Sequence, residues 1–227
     1  MPTRIGGGAW LALVMVLVAG ASCSARTAPR SLVFAHRGDT SAASENSLAA
    51  IRAATGWADG VEFDVHWAPD GTWRLFHDDL PREWRSLPQL AEAVAAAVDL
   101  LIDIDLKEPS NAAHRRLAEW IATAGIANRT TVNVKSLVGA RLVTSIAPGT
   151  TIEAQPDWVP EAVTAPEVDI VAVWGDDWRV VLDTRPAAEV ALFVNSVAEP
   201  NVDRWAEALA AGIGRYLADG PPGHAPA

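Results

Sequence analysis

Two stretches of this chain alternate charged and apolar residues in a way that could assemble a cation site. In VEFDVHW (61–67), Glu62, Asp64 and His66 fall on one face of an extended strand, and Val61, Phe63, Val65 and Trp67 fall on the other. LLIDIDLK (100–107) repeats the pattern, with Asp103, Asp105 and Lys107 on one face and Ile104 and Leu106 on the other. If the apolar faces meet covering helices, two neighbouring strands deliver Glu62, Asp64, Asp103 and Asp105 into one interior. Buried like charges repel unless something neutralises them. A divalent cation does so directly, and an oxygen-only donor set suits Mg²⁺, Ca²⁺ or Mn²⁺. The alternative is that the acids pair with Arg or face solvent; Lys107 alone cannot balance four of them.

The elements that would hold these strands alternate along the chain. Strand candidates are 31–36, 61–67, 100–107, 130–136, 150–155, 168–174, 190–195 and 215–219. Helical patterns lie at 44–55, 86–98, 110–125, 137–147 and 202–212, with Ser44, Ser86 and Ser110 as candidate N-caps. Between the fifth, sixth and seventh strands the helical signal is weak. Eight strands alternating with helices predict an α/β fold, a compact single-domain (β/α)8 TIM barrel over residues 31–220, followed by a short tail at 221–227. About 190 residues is small against the ~250 of a typical barrel, so loops must be short. An open flavodoxin-like sheet is the alternative, and no G-x-G-x-x-G loop supports it.

Composition narrows the partners. Acidic residues outnumber basic ones 28 to 18, a formal charge of −10, which argues against nucleic acid as a ligand. A phosphate-bearing substrate would need a local positive field from a cation or a few placed basic residues. Residues 1–22 read as a signal peptide: Arg4, an apolar run from Ala9 to Ala19, then Gly20-Ala21-Ser22. The apolar run is short for a membrane span. The one cysteine, Cys23, follows directly and resembles the lipidated first residue of a bacterial lipoprotein, with 23–30 as its tether. The expectation is an exported protein held to a membrane by a lipid anchor, the alternative being ordinary cleavage and secretion.

Short motifs point to a family. AHRG (35–38), SENS (44–47), the run GWADGVEFDVHWAPDGTWRLFHDD (56–79) and DIDLK (103–107) resemble the glycerophosphodiester phosphodiesterases, within the phospholipase C-like phosphodiesterase barrels. FVNS and GRYLADGPPG resemble degenerate forms of the family's last two strands. The resemblance implies that Glu62, Asp64 and Asp105 bind the divalent cation and that His36 and His77 are the catalytic pair. It implies that Arg37 and Lys107 contact the phosphate and that Glu45, with Asn46, shapes the substrate site, the alternative being that this pair merely starts the first helix. The chemistry is consistent: cleaving a phosphodiester needs one group to accept a proton and another to protonate the leaving alkoxide, and histidine serves both roles near neutral pH. Among the other histidines, His66 shares the charged face, whereas His114 and His224 read as solvated. The tryptophans read as packing, with Trp174 a candidate pocket wall.

The chain departs from the family pattern at Asp105, where Glu is usual, at Leu192, where Trp is frequent, and at Ser44, where Pro is common. The stretch from Asp79 to Ser86 is short where the family often inserts a substrate-capping region. The resemblance thus implies metal-dependent hydrolysis of a small-molecule glycerophosphodiester. Action on another lipid headgroup, as in the related phospholipase D-like barrels, and a non-catalytic lipoprotein that keeps the barrel are the competing expectations.

Overall fold

A computed structural model describes residues 31–174, 178–184, 189–193 and 214–221. The segments read as signal peptide, Cys23 and its tether, the helix at 202–212 and His224 lie outside the described residues. The strands are β1 (Leu32–Ala35), β2 (Gly60–Trp67), β3 (Trp73–Leu75), β4 (Leu101–Leu106), β5 (Thr130–Val134), β6 (Thr151–Ala154), β7 (Ile170–Trp174), β8 (Glu189–Phe193) and β9 (Arg215–Ala218). The described helices are α1 (Leu48–Ala54), α2 (Leu90–Ala96), α3 (Asn111–Ala124), α4 (Leu137–Ile146) and α5 (Trp178–Thr184). Among the described residues no helix is long and apolar enough to cross a membrane.

All strands but β3 pair in parallel, in the order β1-β9-β8-β7-β6-β5-β4-β2, and β1 also pairs with β2. Such sequential neighbours are the pattern of a barrel-type α/β sheet. An open doubly wound sheet reverses its strand order partway instead. Two apolar clusters separate by strand parity. The larger joins the outward residues of the strands, such as Val61, Phe63, Val65, Ile102 and Ile104, to buried faces of the helices. The smaller, of Phe34, Ile170, Ala172 and Leu217, fills the opposite parity toward the strand N-termini.

Gly60 belongs to that inner packing. A Cβ there would lie 2.3 Å from Phe34 Cε1, and the ring is fully buried. Gly60→Ala is therefore expected to cost about 1–3 kcal/mol by overpacking. A thermal melt unchanged by the substitution would contradict this packing.

Several local expectations are corrected. Helix α1 starts one turn later than Ser44: its N-cap is Ser47, whose side chain accepts from Ala50 N at 3.1 Å. The delay follows from Asn46, whose backbone is left-handed at φ 54°. Ser86 caps no α-helix either. It ends a 3₁₀ turn, and Leu87, preceding Pro88, is extended as residues before proline tend to be. Gln89 and Glu92 instead form a capping box for α2. Ser110 does cap α3, which ends at left-handed Gly125.

Strand β3, too short to show a period, folds back antiparallel on β2, and the seven-residue α5 lies where the helical signal was weak. Arg74 on β3 donates to Leu87 O at 2.9 Å and pairs with Asp70 at 3.2 Å, bracing the loop that carries His77. His114 is not solvated. It is fully buried, with its Nδ1 2.8 Å from Ser110 O and its Nε2 accepting from Lys135 N at 3.3 Å. A Cβ on Gly139 would lie 2.5 Å from its ring, so glycine on α4 makes the room.

Candidate active site

The inward residues of the strands come together where the strands end. Parallel pairing sets Glu62 beside Asp103 and Asp64 beside Asp105, in the register that strand alternation demands. One cavity of about 300 Å³ is lined by His36, Arg37, Glu62, Asp64, His77, Asp105, Lys107, Lys135, Gln155, Asp157 and Trp158. It thus collects both expected histidines, all three expected cation ligands and both expected phosphate contacts.

The turn after β1 is built by its sequence. Arg37 is left-handed, with φ 58°, and its N–H donates to Glu62 Oε2 at 2.9 Å. Gly38 follows at φ 84°, packed so that a Cβ would sit 2.7 Å from the α1 backbone at Ala50. Glycine tolerates both demands. The Arg37 side chain runs back over the site, with Nη1 2.8 Å from Glu45 Oε2 and Nε 3.3 Å from Asp64 Oδ2. Glu45 is thereby an Arg37-orienting residue, half exposed and absent from the cavity lining. Asn46 grips Asp64 twice: its Nδ2 donates to Oδ2 at 2.8 Å, and its Oδ1 accepts from the Asp64 backbone at 3.1 Å.

The acids are partly neutralised by side chains, chiefly two lysines rather than arginines. Lys107 Nζ lies 2.6 Å from Asp64 Oδ1 and 2.8 Å from Asp105 Oδ2, and Lys135 Nζ lies 2.6 Å from Asp105 Oδ1. Burial alone would raise the Asp105 pKa, but Lys135 and Lys107 outweigh it and hold the carboxyl below its ordinary value. Glu62 has no such partner. Burial, then the charges of Asp64, Asp105 and Asp103, push its pKa well above the usual carboxylate range. One oxygen each of Glu62, Asp64 and Asp105 lie within 4.8 Å of one another. A hard divalent cation fits this oxygen-only set, and its charge would let Glu62 ionise.

Each histidine has a carboxylate behind it. His36 Nδ1 is 2.9 Å from Asp219 Oδ1 and His77 Nδ1 is 2.8 Å from Asp78 Oδ1. His66 turns away from the cavity to Glu108, at 3.2 Å. Asp103 also fails to reach it. Asp103 lies fully buried one layer deeper. Burial, opposed by Arg215, pushes its pKa up to about 6.

Sequence reasoning missed Lys135, Gln155, Asp157, Trp158 and Asp219. Lys135 shares the parity of Thr131 and Asn133 in strand candidate 130–136, so alternation could have found it. Asp219 offers no such signal, because its partner His36 lies 183 positions away. The side chains of Leu192 and Trp174 lie outside the described residues.

A sequence model of the Glycerophosphoryl diester phosphodiesterase family matches residues 36–124, the segment carrying both histidines and the three carboxylates. Through this segment the chain is similar to that family. Among curated proteins, no sequence matches it.

Solved structures of glycerophosphodiester phosphodiesterases share its fold. One from Parabacteroides distasonis superposes with a TM-score of 0.65 at 17% identity, over 84% of this chain and 93% of that one. One from Agrobacterium tumefaciens gives 0.67 at 17% identity, over 84% and 97%. A phosphodiesterase from Oleispira antarctica, solved with the product sn-glycerol-3-phosphate, gives 0.64 at 17% identity, over 85% and 94%.

Proposed function

We propose that this phosphodiesterase hydrolyses glycerophosphodiesters to an alcohol and glycerol phosphate, depending on a divalent cation and on paired acid–base work by His36 and His77. The observation that carries the reading is the convergence of both histidines, three carboxylates, Arg37 and Lys107 on one cavity. The product found in the Oleispira antarctica phosphodiesterase supports glycerol phosphate as the retained half. A closed barrel without a capping insertion is part of this reading, supported by the β1–β2 pairing and by the single 3₁₀ turn between β3 and α2.

Glu62, Asp64 and Asp105 would hold the cation, Mg²⁺, Ca²⁺ or Mn²⁺, which supplies charge neutralisation at the phosphoryl oxygens. Arg37 and Lys107 bind and orient the phosphate, Arg37 held at its angle by Glu45. Asp219 fixes the tautomer of His36 with Nδ1 protonated. His36 Nε2 then accepts the proton of the nucleophile as the new P–O bond forms. His77, more exposed at the cavity edge, donates a proton to the leaving alkoxide oxygen as the old P–O bond breaks. The cavity is about 300 Å³ and the His77 side chain is 37% exposed, which suits varied alcohols better than a single one.

A substrate panel on metal-depleted protein tests this. Cation addition should restore turnover of glycerophosphocholine and of bis(p-nitrophenyl) phosphate. Turnover confined to lysophospholipids would favour the lipid-headgroup reading, and no turnover at all would favour a non-catalytic lipoprotein.

The same proposal includes export and lipid anchoring at Cys23, supported by the signal-like residues before it. Cys23→Ser should move the protein from the membrane fraction to the soluble one. Mass spectrometry of the mature wild type showing an unmodified Cys23 would contradict it.

A further inference from the structure

The chain contains two lysines, Lys107 and Lys135, and both line the cavity with their ammonium groups on Asp105. They are not equivalent. Lys107 is shared between Asp64 and Asp105, whereas the ion pair of Lys135 is with Asp105 Oδ1, at 2.6 Å. Lys135 is fixed from three directions. Its backbone N–H donates to His114 Nε2, its ammonium sits 4.8 Å from the centre of the Trp158 ring, and its side chain is only 4% exposed. The oxygen it occupies belongs to a carboxylate that also contributes to the cation-ligand cluster.

We propose that Lys135 is a tethered competitor of the divalent cation: its ammonium neutralises Asp105 in the metal-free protein and sets the site's affinity low. The inference rests on the proposed cation site at Glu62, Asp64 and Asp105 and adds a residue that opposes it. A cation bound at Asp105 replaces the carboxylate contact of Lys135 with a like-charged neighbour. His114 fixes the backbone at Lys135, and Trp158 and burial keep the ammonium close to Asp105, so the repulsion persists in the loaded site. Cation–π contact also stabilises the ammonium where it stands, which further favours the metal-free arrangement. Removing the ammonium removes this opposition. A residue needed only for structural support would weaken the site when lost, so the sign of the change separates the two roles.

Isothermal titration of MnCl₂ into metal-stripped full-length protein tests the inference, comparing wild type with Lys135→Met, Lys135→Gln and Lys135→Arg. Both neutral variants should bind Mn²⁺ about tenfold more tightly, the effect of removing one nearby unit charge. Lys135→Arg, which keeps the charge, should stay close to wild type. Thermal melts of each variant identify one that fails to fold, and the second neutral substitution then decides. Unchanged or weakened affinity in the folded neutral variants overturns the proposal. If wild type and all variants alike bind no Mn²⁺, the cation site itself is refuted and this proposal with it. Binding lost in Glu62→Gln but unaltered by Lys135 substitution leaves the site standing and overturns the competitor alone.

Discussion

Glu62→Gln is expected to abolish turnover and divalent-cation binding together while leaving the metal-free fold at least as stable as wild type. Glu62 is 3% exposed, accepts from Arg37 N at 2.9 Å, and has its pKa raised by burial and by three neighbouring carboxylates. Burial and the neighbouring charges favour the neutral form in the metal-free protein, and glutamine imitates that form in shape and in accepting ability. The loss of one charged ligand should lower kcat by about 10³-fold, since a catalytic cation supplies several kcal/mol.

The sign of the stability effect follows from linkage. The unfolded chain releases the Glu62 proton near the ordinary value of about 4.3, whereas the folded chain keeps it to higher pH. Between those values the native state binds more protons, so metal-free wild type loses stability as pH rises above the ordinary range. Glu62→Gln removes that contribution. Denaturant melts in chelator at two pH values read it, and a variant that loses more stability than wild type at the higher pH would count against the assignment.

Replacing either His36 or His77 with Ala is expected to lower kcat on glycerophosphocholine by at least ~10²-fold, the scale of a positioned proton-transfer group. The two losses should differ with the leaving group. p-Nitrophenolate departs without a proton, whereas a choline alkoxide does not. His77→Ala should therefore retain far more activity on bis(p-nitrophenyl) phosphate than on glycerophosphocholine, and His36→Ala should lose both alike. The wild-type rate should follow a bell in pH, with a different limb missing in each variant. Identical responses to leaving-group quality would reassign both histidines to orienting the phosphate.

How much of this was legible in the sequence depended on the range of the signal. Strand pleating fixes side-chain parity within each segment, so Glu62, Asp64 and Asp105 could be placed inward before any fold was known, and the register bears this out. The same rule put Asp103 inward but carried no depth, and Asp103 lies a layer below the cavity. His114 was misread because a polar residue next to two arginines, Arg115 and Arg116, is ordinarily exposed. Its burial depends on Gly139 and Lys135, both more than one element away. The starts at Ser44 and Ser86 failed where a left-handed Asn46 and the extended residue before Pro88 overrode capping preference. Asp219, Gln155 and Trp158 needed the strands to be brought round the sheet before they had a partner to face.

The most direct measurement is a ³¹P NMR time course of glycerophosphocholine with metal-stripped protein, before and after addition of Mg²⁺, Ca²⁺ or Mn²⁺. The account predicts that the diester resonance is stable in chelator and converts to that of glycerol phosphate once one of these cations is present, with Glu62→Gln silent throughout. Conversion at the same rate in excess chelator, or an unchanged diester with every cation supplied, would contradict it.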